Sequence, residues 1–512
     1  MNDPCTIPAR RRRLTSGAAI ALTLAIAGTT VAATAATAQV SIGWTQVQGD
    51  ASHTGYVADA AAPPFKEGWH LSVPLGGPAS TYGLSAPVVD GSSVIAVGPN
   101  SIVAADLASG RQLWSVDRDY GPSTTPAIAV SGKRRLLIYT EGFGPTPPGT
   151  SATPSGSGAS TPSPSPATSG SQPVDSHVTA LDIATQDPAW TTPLQLKKVS
   201  RTGVTVDGDT AFVGDHDGNV YAIDVATGVL RWTSRAGGFL TNSLAVAGGE
   251  VVAAVQGSRT TQPHLIAFKE SDGSTSWDVE VQGAVLASAP AIESGHVIVG
   301  FYDQTVRSYA LADGAESWSA RLNSPVLFTG AAAITPDAVL VVDANGEVYR
   351  LDLATGERVW DFALNETVLR SPAVVAGDRV LIASSTGHLS AIDLTSGRLV
   401  WQSDAGAGIL RSLTPTLAAV VAVRGGAQPG LVAYVEDPDG SLVSVVSPTV
   451  LDLSKLLLAY AAAAVPLVLL LVLGGRAALV RMGPAFLDDD GDGDGDPVTE
   501  DTAEDDTDED HP

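Results

Sequence analysis

One phrase recurs along this 512-residue chain at a nearly constant interval. It reads DGNVYAIDVATGVLRW at 217–232, NGEVYRLDLATGERVW at 345–360 and TGHLSAIDLTSGRLVW at 386–401. Its last residue recurs at Trp114, Trp190, Trp232, Trp277, Trp318, Trp360 and Trp401, with gaps of 76, 42, 45, 41, 42 and 41 residues. A period near 42 with strand-like content is typical of β-propeller blades.

Each unit contains the signals of four short antiparallel strands. In NVYAIDV, alternate residues face the two sides of a sheet, and β-branched and aromatic residues suit that surface. In the following turn, DVATG, the Asp224 carboxylate can accept hydrogen bonds from backbone amides, and Gly228 can adopt a positive φ. Upstream, GVTVDGDTAFVGDHDG supplies two more strands. We therefore predict an all-β fold built from four-stranded blades.

The blade count depends on the two ends of the repeat. The long first gap contains residues 144–173, rich in Pro, Ser and Thr, which we interpret as a disordered insert in the second blade. Trp69 lies 45 residues before Trp114 and so falls in register. We expect its strand to complete the blade formed by about 408–436, which gives eight blades. Residues 441–446, with Ser444 in the tryptophan slot, compete for that outer position, and a ring of seven blades is the alternative.

The eight tryptophans of this slot, with Trp69 included, are interpreted as structural. A binding site seldom needs eight copies of its anchor, whereas packing between blades does.

The repeated phrase, with the lead-in WTQVQGDASHTG at 44–55, resembles the PQQ-like β-propellers, a superfamily named after pyrroloquinoline quinone. The resemblance covers residues 43–446 and implies an eight-bladed ring with tryptophans docked between blades. One branch, the quinoprotein dehydrogenases, binds the quinone with calcium and uses an Asp as base and a disulfide of adjacent cysteines. A second, BamB-type branch is not enzymatic, and this sequence is closer to that branch. Its predicted mode of membrane anchoring differs from that of the branch.

Enzymatic chemistry finds little support in the residues. The only cysteine is Cys5, so the dehydrogenase disulfide is impossible. The candidate bases Asp224, Asp352 and Asp393 all lie in the repeated turn, where a structural role explains them. The histidines show no metal-ligand spacing. We therefore expect no catalytic residue, no metal and no cofactor, pyrroloquinoline quinone with calcium included.

Three segments flank the repeat. Residues 1–38 have the basic, apolar and small-residue regions of a secretory signal with cleavage after Ala38, an uncleaved anchor being the alternative. Residues Leu456 to Gly475 carry no charge and are long enough to span a bilayer. Arg476 and Arg481 follow, which places 476–512, an acidic and disordered tail, in the cytoplasm. We thus predict a single-pass plasma-membrane protein whose ectodomain, 39–450, faces outward.

The ectodomain has 38 acidic and 22 basic residues, a net charge of −16, which disfavours nucleic acid or anionic lipid headgroups as its main partner. Our leading hypothesis is a membrane-anchored scaffold for envelope proteins, or a ligand-sensing module. The alternatives are a quinone-dependent dehydrogenase and a domain that binds carbohydrate or a wall polymer. The sequence leaves the oligomeric state open.

Overall fold

A computed structural model describes residues 44–58, 63–75, 83–142, 176–257, 261–281, 286–325, 331–368, 371–404, 409–416, 430–436 and 440–446. These residues form β-strands in eight sheets, with one short 3-10 turn at Val47–Gly49. Each sheet is a blade. In seven blades the strands are consecutive along the chain, and they are numbered 1 to 4 from the ring centre outward.

Blades 1 to 4 follow one another in the first half of the repeat. The strands of blade 1 are Val88–Asp90, Ser93–Val97, Ser101–Asp106 and Gln112–Asp117, and those of blade 2 are Ala127–Ser131, Arg134–Glu141, His177–Asp182 and Leu194–Gln195. Blade 3 comprises Thr205–Asp207, Thr210–Gly214, Asn219–Asp224 and Leu230–Arg235, and blade 4 comprises Ala245–Ala247, Glu250–Gln256, His264–Lys269 and Thr275–Glu280. The two-residue strand Phe239–Leu240 also pairs with the second strand of blade 4.

Blades 5 to 8 complete the set. Blade 5 comprises Ala291–Glu293, His296–Gly300, Thr305–Ala310 and Glu316–Arg321, and blade 6 comprises Ala333–Ile334, Ala338–Val342, Glu347–Asp352 and Arg358–Ala363. Blade 7 comprises Val374–Ala376, Arg379–Ala383, Leu389–Asp393 and Leu399–Gln402, with Tyr56–Val57 added in parallel to its first strand. Blade 8 comprises Ile409–Thr416, Gly430–Glu436, Ser441–Val446 and, as its outermost strand, Lys66–Ser72.

Blade 8 closes the ring by joining the two ends of the repeat. Its fourth strand pairs antiparallel with its third, and Trp69 lies opposite Ser444. In blade 3 the equivalent pair is Trp232 and Ala222. The prediction that the Trp69 strand completes this blade agrees with the pairing. The assignment of Ser444 to the tryptophan slot is wrong: residues 441–446 form the third strand, because the outer position is taken by Trp69.

The innermost strands contact one another in blade order, and the inner strand of blade 8 contacts that of blade 1. This circle of contacts within the described residues supports eight blades rather than seven. The connections from strand 4 of one blade to strand 1 of the next lie at one end of the ring, together with the connections from strand 2 to strand 3 within each blade. We call this end the loop face. The hairpins between strands 1 and 2 and strands 3 and 4 lie at the opposite end, the turn face.

Burial follows position in the blade. Third strands such as Asn219–Asp224 are buried on both sides, because each blade is covered by two neighbours. Fourth strands alternate: Leu230–Arg235 buries Trp232 while the residues beside it are exposed. Packing between blades therefore supplies the core, as expected for a radial repeat.

Several predicted segments lie outside the described residues: the signal 1–38, the insert 144–173, the span 456–475 and the tail 476–512. The second strand of blade 2 ends at Glu141 and the third begins at His177, so the insert leaves from the loop face. Within the part of the chain that is described, no helix has the length and apolar character needed to cross a bilayer.

Candidate functional site at the ring axis and loop face

Residues 44–57, which we call the axial segment, lie against the inner strands of seven blades. Inner-strand N–H groups donate to its carbonyl oxygens in blade order: Val89 to Trp44 (2.8 Å), Ile128 to Thr45 (2.8 Å), Val246 to Ala51 (2.7 Å), Ile292 to Ser52 (2.8 Å), Ile334 to Thr54 (2.6 Å) and Val375 to Gly55 (2.8 Å). In blade 3 the acceptor is a side chain, since Val206 N donates to Gln46 Oε1 (2.7 Å). The chain's own backbone therefore occupies this level of the axis.

Buried amide side chains extend these contacts. Gln46 Nε2 donates to Val206 O at 3.1 Å, and Gln48 Nε2 donates to Ala331 O at 3.2 Å. Gly55, at φ 61°, lies against Gln48 and Ala333, since a Cβ there would be 2.7 Å from Gln48 Nε2 and 3.2 Å from Ala333 Cβ. The QGD and HTG triplets of the lead-in thus have packing roles, which the sequence reasoning treated only as part of a resemblance.

His53 is fully buried in the axial segment. Its Nδ1 lies 3.0 Å from Pro290 O, and its Nε2 lies 3.4 Å from Thr205 Oγ1. Burial lowers the pKa of His53 to about 4, against the opposing effect of the Pro290 carbonyl. The imidazole is therefore neutral at pH 7 and acts as a structural hydrogen-bonding group.

The carboxylate of the axial segment, Asp50, forms hydrogen bonds with a residue of the same segment. It accepts a hydrogen bond from Thr54 N at 3.1 Å and another from the Thr54 hydroxyl. Burial raises the pKa of Asp50, and Glu293 adds to the increase. This carboxylate caps a turn.

The entrance to the axis from the loop face has little acidic or basic chemistry. The described residues that lead into the inner strands are mostly small, apolar or hydroxylic, with one buried amide, Asn242, whose Nδ2 donates to Ser288 O at 3.1 Å. The others include Ser85, Ala86, Pro87, Thr125, Pro126, Gly203, Ser243, Ser288, Ala289, Pro290, Ala332, Ser371 and Pro372. Calcium prefers carboxylate oxygens, and a catalytic base needs a titratable group. The described donor set at this entrance therefore does not fit a quinone with calcium.

The tryptophans of the repeat lie between blades. The indole Nε1 of one blade donates to a turn carbonyl of the next blade in six pairs: Trp69 to Leu107, Trp190 to Val225, Trp232 to Glu270, Trp277 to Leu311, Trp318 to Leu353 and Trp360 to Leu394. The turn glycine lies under the ring: at Gly228, a Cβ would be 2.5 Å from Trp190. Only glycine combines this φ of 75° with such a close contact.

Trp114 and Trp401 have different surroundings. The turn that Trp114 meets has Gln186 at φ 62° in place of glycine, and Trp114 packs half-buried against a cluster that includes Ile183. Trp401 meets Phe65 edge-on, with ring centroids 5.3 Å apart. The tryptophan socket, the site on the next blade that receives the indole, therefore differs in two places, beside the modified blade 2 and beside the closing blade 8.

The three aspartates considered as bases lie in turns. Asp224 accepts from Thr227 N at 2.9 Å, Asp352 from Thr355 N at 2.8 Å and Asp393 from Ser396 N at 2.8 Å. The pKa of each is lowered, through hydrogen bonds with Arg231 for Asp224, Thr355 for Asp352 and Ser396 for Asp393. All three are on the turn face, far from the loop-face entrance in the direction of the strands.

One group of ligating side chains was missed by the sequence reasoning. Asp119, Glu141 and His177 come within 4.8 Å of one another on the loop face, at the foot of the insert. His177 Nε2 lies 3.0 Å from Glu141 Oε2, and the buried Arg118 interacts electrostatically with Glu141. The separation of 36 positions between Glu141 and His177 hid this group from spacing arguments. The adjacent Arg118 guanidinium opposes a bound cation.

The loop face also exposes large aromatic side chains. Tyr120, Phe239 and Tyr302 are all exposed at this end of the ring, Tyr120 and Tyr302 in connections and Phe239 in the short strand Phe239–Leu240. Phe239 stacks edge-on with His216, with centroids 5.0 Å apart. Exposed aromatic residues are enriched at protein interfaces.

The blades, the closed circle of inner strands and the tryptophan sockets define a PQQ-like β-propeller. The family profile described as "Outer membrane protein assembly factor BamB" matches residues 174–326, 255–361 and 302–449, and together these cover just over half of the chain. The chain belongs to this family.

Individual proteins give the same classification. The outer membrane protein assembly factor BamB of Nitrosomonas eutropha is 28% identical over 197 residues, which cover 38% of this chain and 46% of that protein. The chain thus spans about half the length of the curated relatives it matches. The crystal structure of BamB from Moraxella catarrhalis has a TM-score of 0.51 at 13% identity, over 75% of this chain and 99% of that one.

An enzyme has a similar fold. Quinohemoprotein alcohol dehydrogenase ADHIIG from Pseudomonas putida HK5 has a TM-score of 0.55 at 11% identity, over 79% of this chain and 80% of that one. At this identity the likeness concerns the fold alone.

Proposed function

We propose that this protein is a membrane-anchored, extracytoplasmic propeller that acts as a protein-interaction scaffold in the cell envelope. Its loop face is the binding surface, the span 456–475 is the anchor, and the tail 476–512 is cytoplasmic. The observation that carries the proposal is the axial segment, whose backbone and Gln46 side chain fill the axis at the level of the inner strands of seven blades. Binding of a partner therefore falls to the exposed surfaces of the ring.

Three further features support a protein partner. The family profile and the relatives bear the name of an assembly factor. Tyr120, Phe239 and Tyr302 supply exposed aromatic area on one face. The described residues at the axial entrance have no carboxylate or imidazole for quinone-dependent dehydrogenation. Binding of carbohydrate or a wall polymer is the second candidate, because exposed aromatic rings can also stack on sugars.

The test is crosslinking in intact membranes followed by affinity capture of the full-length chain and quantitative mass spectrometry. The comparison is between the wild type, a Tyr120→Ser/Phe239→Ser/Tyr302→Ser variant of the loop face, and a Val130→Ser control. Val130 is exposed near the turn face, so its replacement leaves the proposed surface intact.

We expect one or a few envelope proteins at near-stoichiometric amounts, reduced at least fivefold in the loop-face variant and unchanged in the control. Equal recovery of the partner with all three proteins would exclude the loop face as the binding surface. Dye reduction by the purified protein with quinone and calcium would overturn the non-enzymatic assignment.

A further inference from the structure

The rim of the ring differs between its two halves. In each blade the three residues before the tryptophan follow the turn between the third and fourth strands, next to the turn face, and in every blade except blade 2 they lead into or begin the outermost strand. Blades 6, 7, 8 and 1 read ERV, RLV, KEG and RQL, at 357–359, 398–400, 66–68 and 111–113. Blades 2, 3, 4 and 5 read DPA, VLR, STS and AES, at 187–189, 229–231, 274–276 and 315–317.

The half formed by blades 6, 7, 8 and 1, which we call the basic-apolar rim, exposes all twelve of these residues. It carries four cations, Arg358, Arg398, Lys66 and Arg111, against two carboxylates. Its aliphatic side chains Leu113, Val359, Leu399 and Val400 are between 39% and 50% exposed. These aliphatic side chains lie in blades 6, 7 and 1, and blade 8 between blades 7 and 1 contributes Lys66 to the same rim.

The opposite half has a different character. It carries two carboxylates, Asp187 and Glu316, and one cation, Arg231. Arg231 is held by Asp209 and Asp224 at 2.8 and 2.7 Å. Exposed Val229 and Leu230 in blade 3 are flanked by this paired guanidinium, and blades 4 and 5 present serine immediately before the tryptophan.

The chain leaves the ring in the middle of the basic-apolar rim. The third strand of blade 8 ends at Val446, which pairs with Lys66 at the start of the outermost strand. Ten residues later begins the uncharged segment 456–475. A ten-residue connection reaches at most about 35 Å, so an anchor in this segment keeps this edge of the ring near the bilayer.

We propose that the basic-apolar rim rests on the outer surface of the membrane, so that the ring stands edge-on beside its anchor. Arg398, Lys66 and Arg111 contact lipid phosphates, and Leu113, Leu399 and Val400 enter the boundary between headgroups and acyl chains. The tether makes this contact intramolecular, so a weak surface affinity suffices at its high effective concentration. This inference rests on the membrane attachment in the proposed function and adds an orientation to it.

Single-cysteine labelling of the full-length protein tests the orientation. Because Cys5 is the only native cysteine, a Cys5→Ser background accepts one fluorophore at a chosen rim position. Leu113→Cys and Val400→Cys report on the basic-apolar rim. Ser317→Cys and Ser276→Cys occupy the same slot in blades 5 and 4, and blade 5 is opposite blade 1. Each protein is reconstituted in phosphatidylcholine and phosphatidylglycerol vesicles that contain a lipid with a nitroxide near its headgroup.

We expect quenching at 113 and 400 to exceed that at 317 and 276 at least twofold. Substitution of Arg111, Lys66 and Arg398 by serine, with the label at 400, should reduce the difference. Equal quenching at all four positions, in protein that floats with the vesicles, would overturn the rim contact but leave the anchor intact. Protein that fails to float would overturn both the contact and the anchor, while the partner-capture experiment tests the scaffold role separately.

Discussion

Gln46 and Val206, 160 residues apart in sequence, are joined by two hydrogen bonds between the Gln46 amide and the Val206 backbone. The Gln46 side chain thus makes the hydrogen bonds that a neighbouring strand would make with the innermost strand of blade 3. In this way the axial segment satisfies inner-strand groups that would otherwise be left without a protein partner at the axis.

Gln46→Ala should lower the free energy of unfolding by roughly 2–4 kcal/mol, because a buried N–H and a buried C=O both lose their partners. Denaturant titration measures the change. Gln195→Ala, at an exposed position of blade 2, is the control and should stay within about 0.5 kcal/mol of the wild type. Similar effects of both substitutions would argue against a stabilising role for the axial segment.

The turn glycines allow backbone strain to be separated from packing against tryptophan. Gly228→Ala introduces a Cβ 2.5 Å from Trp190 at φ 75°, whereas Gly208→Ala at φ 54° has nothing within 4 Å. Gly208→Ala should cost about 1–2 kcal/mol for the left-handed backbone alone. Gly228→Ala should cost about 1–3 kcal/mol more, because the indole must move. Thermal and chemical unfolding of the pair measure the difference; equal losses would mean that the socket tolerates the methyl group.

His53 should make stability depend on pH. Its pKa is about 4 in the folded protein and 6.5 when unfolded, so the unfolded chain binds the proton more tightly. Stability from this group is present above pH 6.5 and is lost as the pH falls towards 4. Between pH 7 and pH 5 the loss is about 2 kcal/mol.

The matched measurement compares His53→Asn with His70→Asn in unfolding experiments at pH 7 and pH 5. Asparagine tolerates the φ of 59° at position 53, so the backbone is kept. His53→Asn should be less stable at pH 7 and should lack about 2 kcal/mol of the pH dependence. His70 lies on the exposed fourth strand of blade 8, and its replacement should retain that dependence.

Arg118 should be essential to the contact between blades 1 and 2. Its guanidinium donates to Gly98 O and Thr140 O, both at 2.7 Å, and it is buried. Arg118→Met should lower the free energy of unfolding by roughly 2–4 kcal/mol, since these carbonyl groups lose a charged donor. Arg235→Met, at an exposed position, is the control. A neutral result at Arg118 would indicate that desolvation of the cation offsets its hydrogen bonds.

The repeated sequence was sufficient to predict the blade and much of its interior. Alternation in NVYAIDV, the Asp–Gly turn and the tryptophan spacing are local patterns, and each blade pairs strands that are neighbours in sequence. The structure accordingly has the Asp224 turn and Gly228 at positive φ. The axial role of Gln46 and His53 could not be predicted, because it depends on seven inner strands brought together from distant parts of the chain.

The sequence by itself therefore determined the blade, its period and the family of the ring, because these depend on local periodicity. The sequence predicted that the Trp69 strand completes blade 8 but left residues 441–446 as a competitor, and tertiary structure decided between them. The pairing of Lys66–Ser72 with Ser441–Val446 joins residues such as His70 and Ser441 that are 371 positions apart. Tertiary structure also decided that the cations and aliphatic residues of blades 6, 7, 8 and 1 share one rim. In a linear sequence these blades are at opposite ends, and only closure of the ring makes blade 8 the neighbour of blade 1.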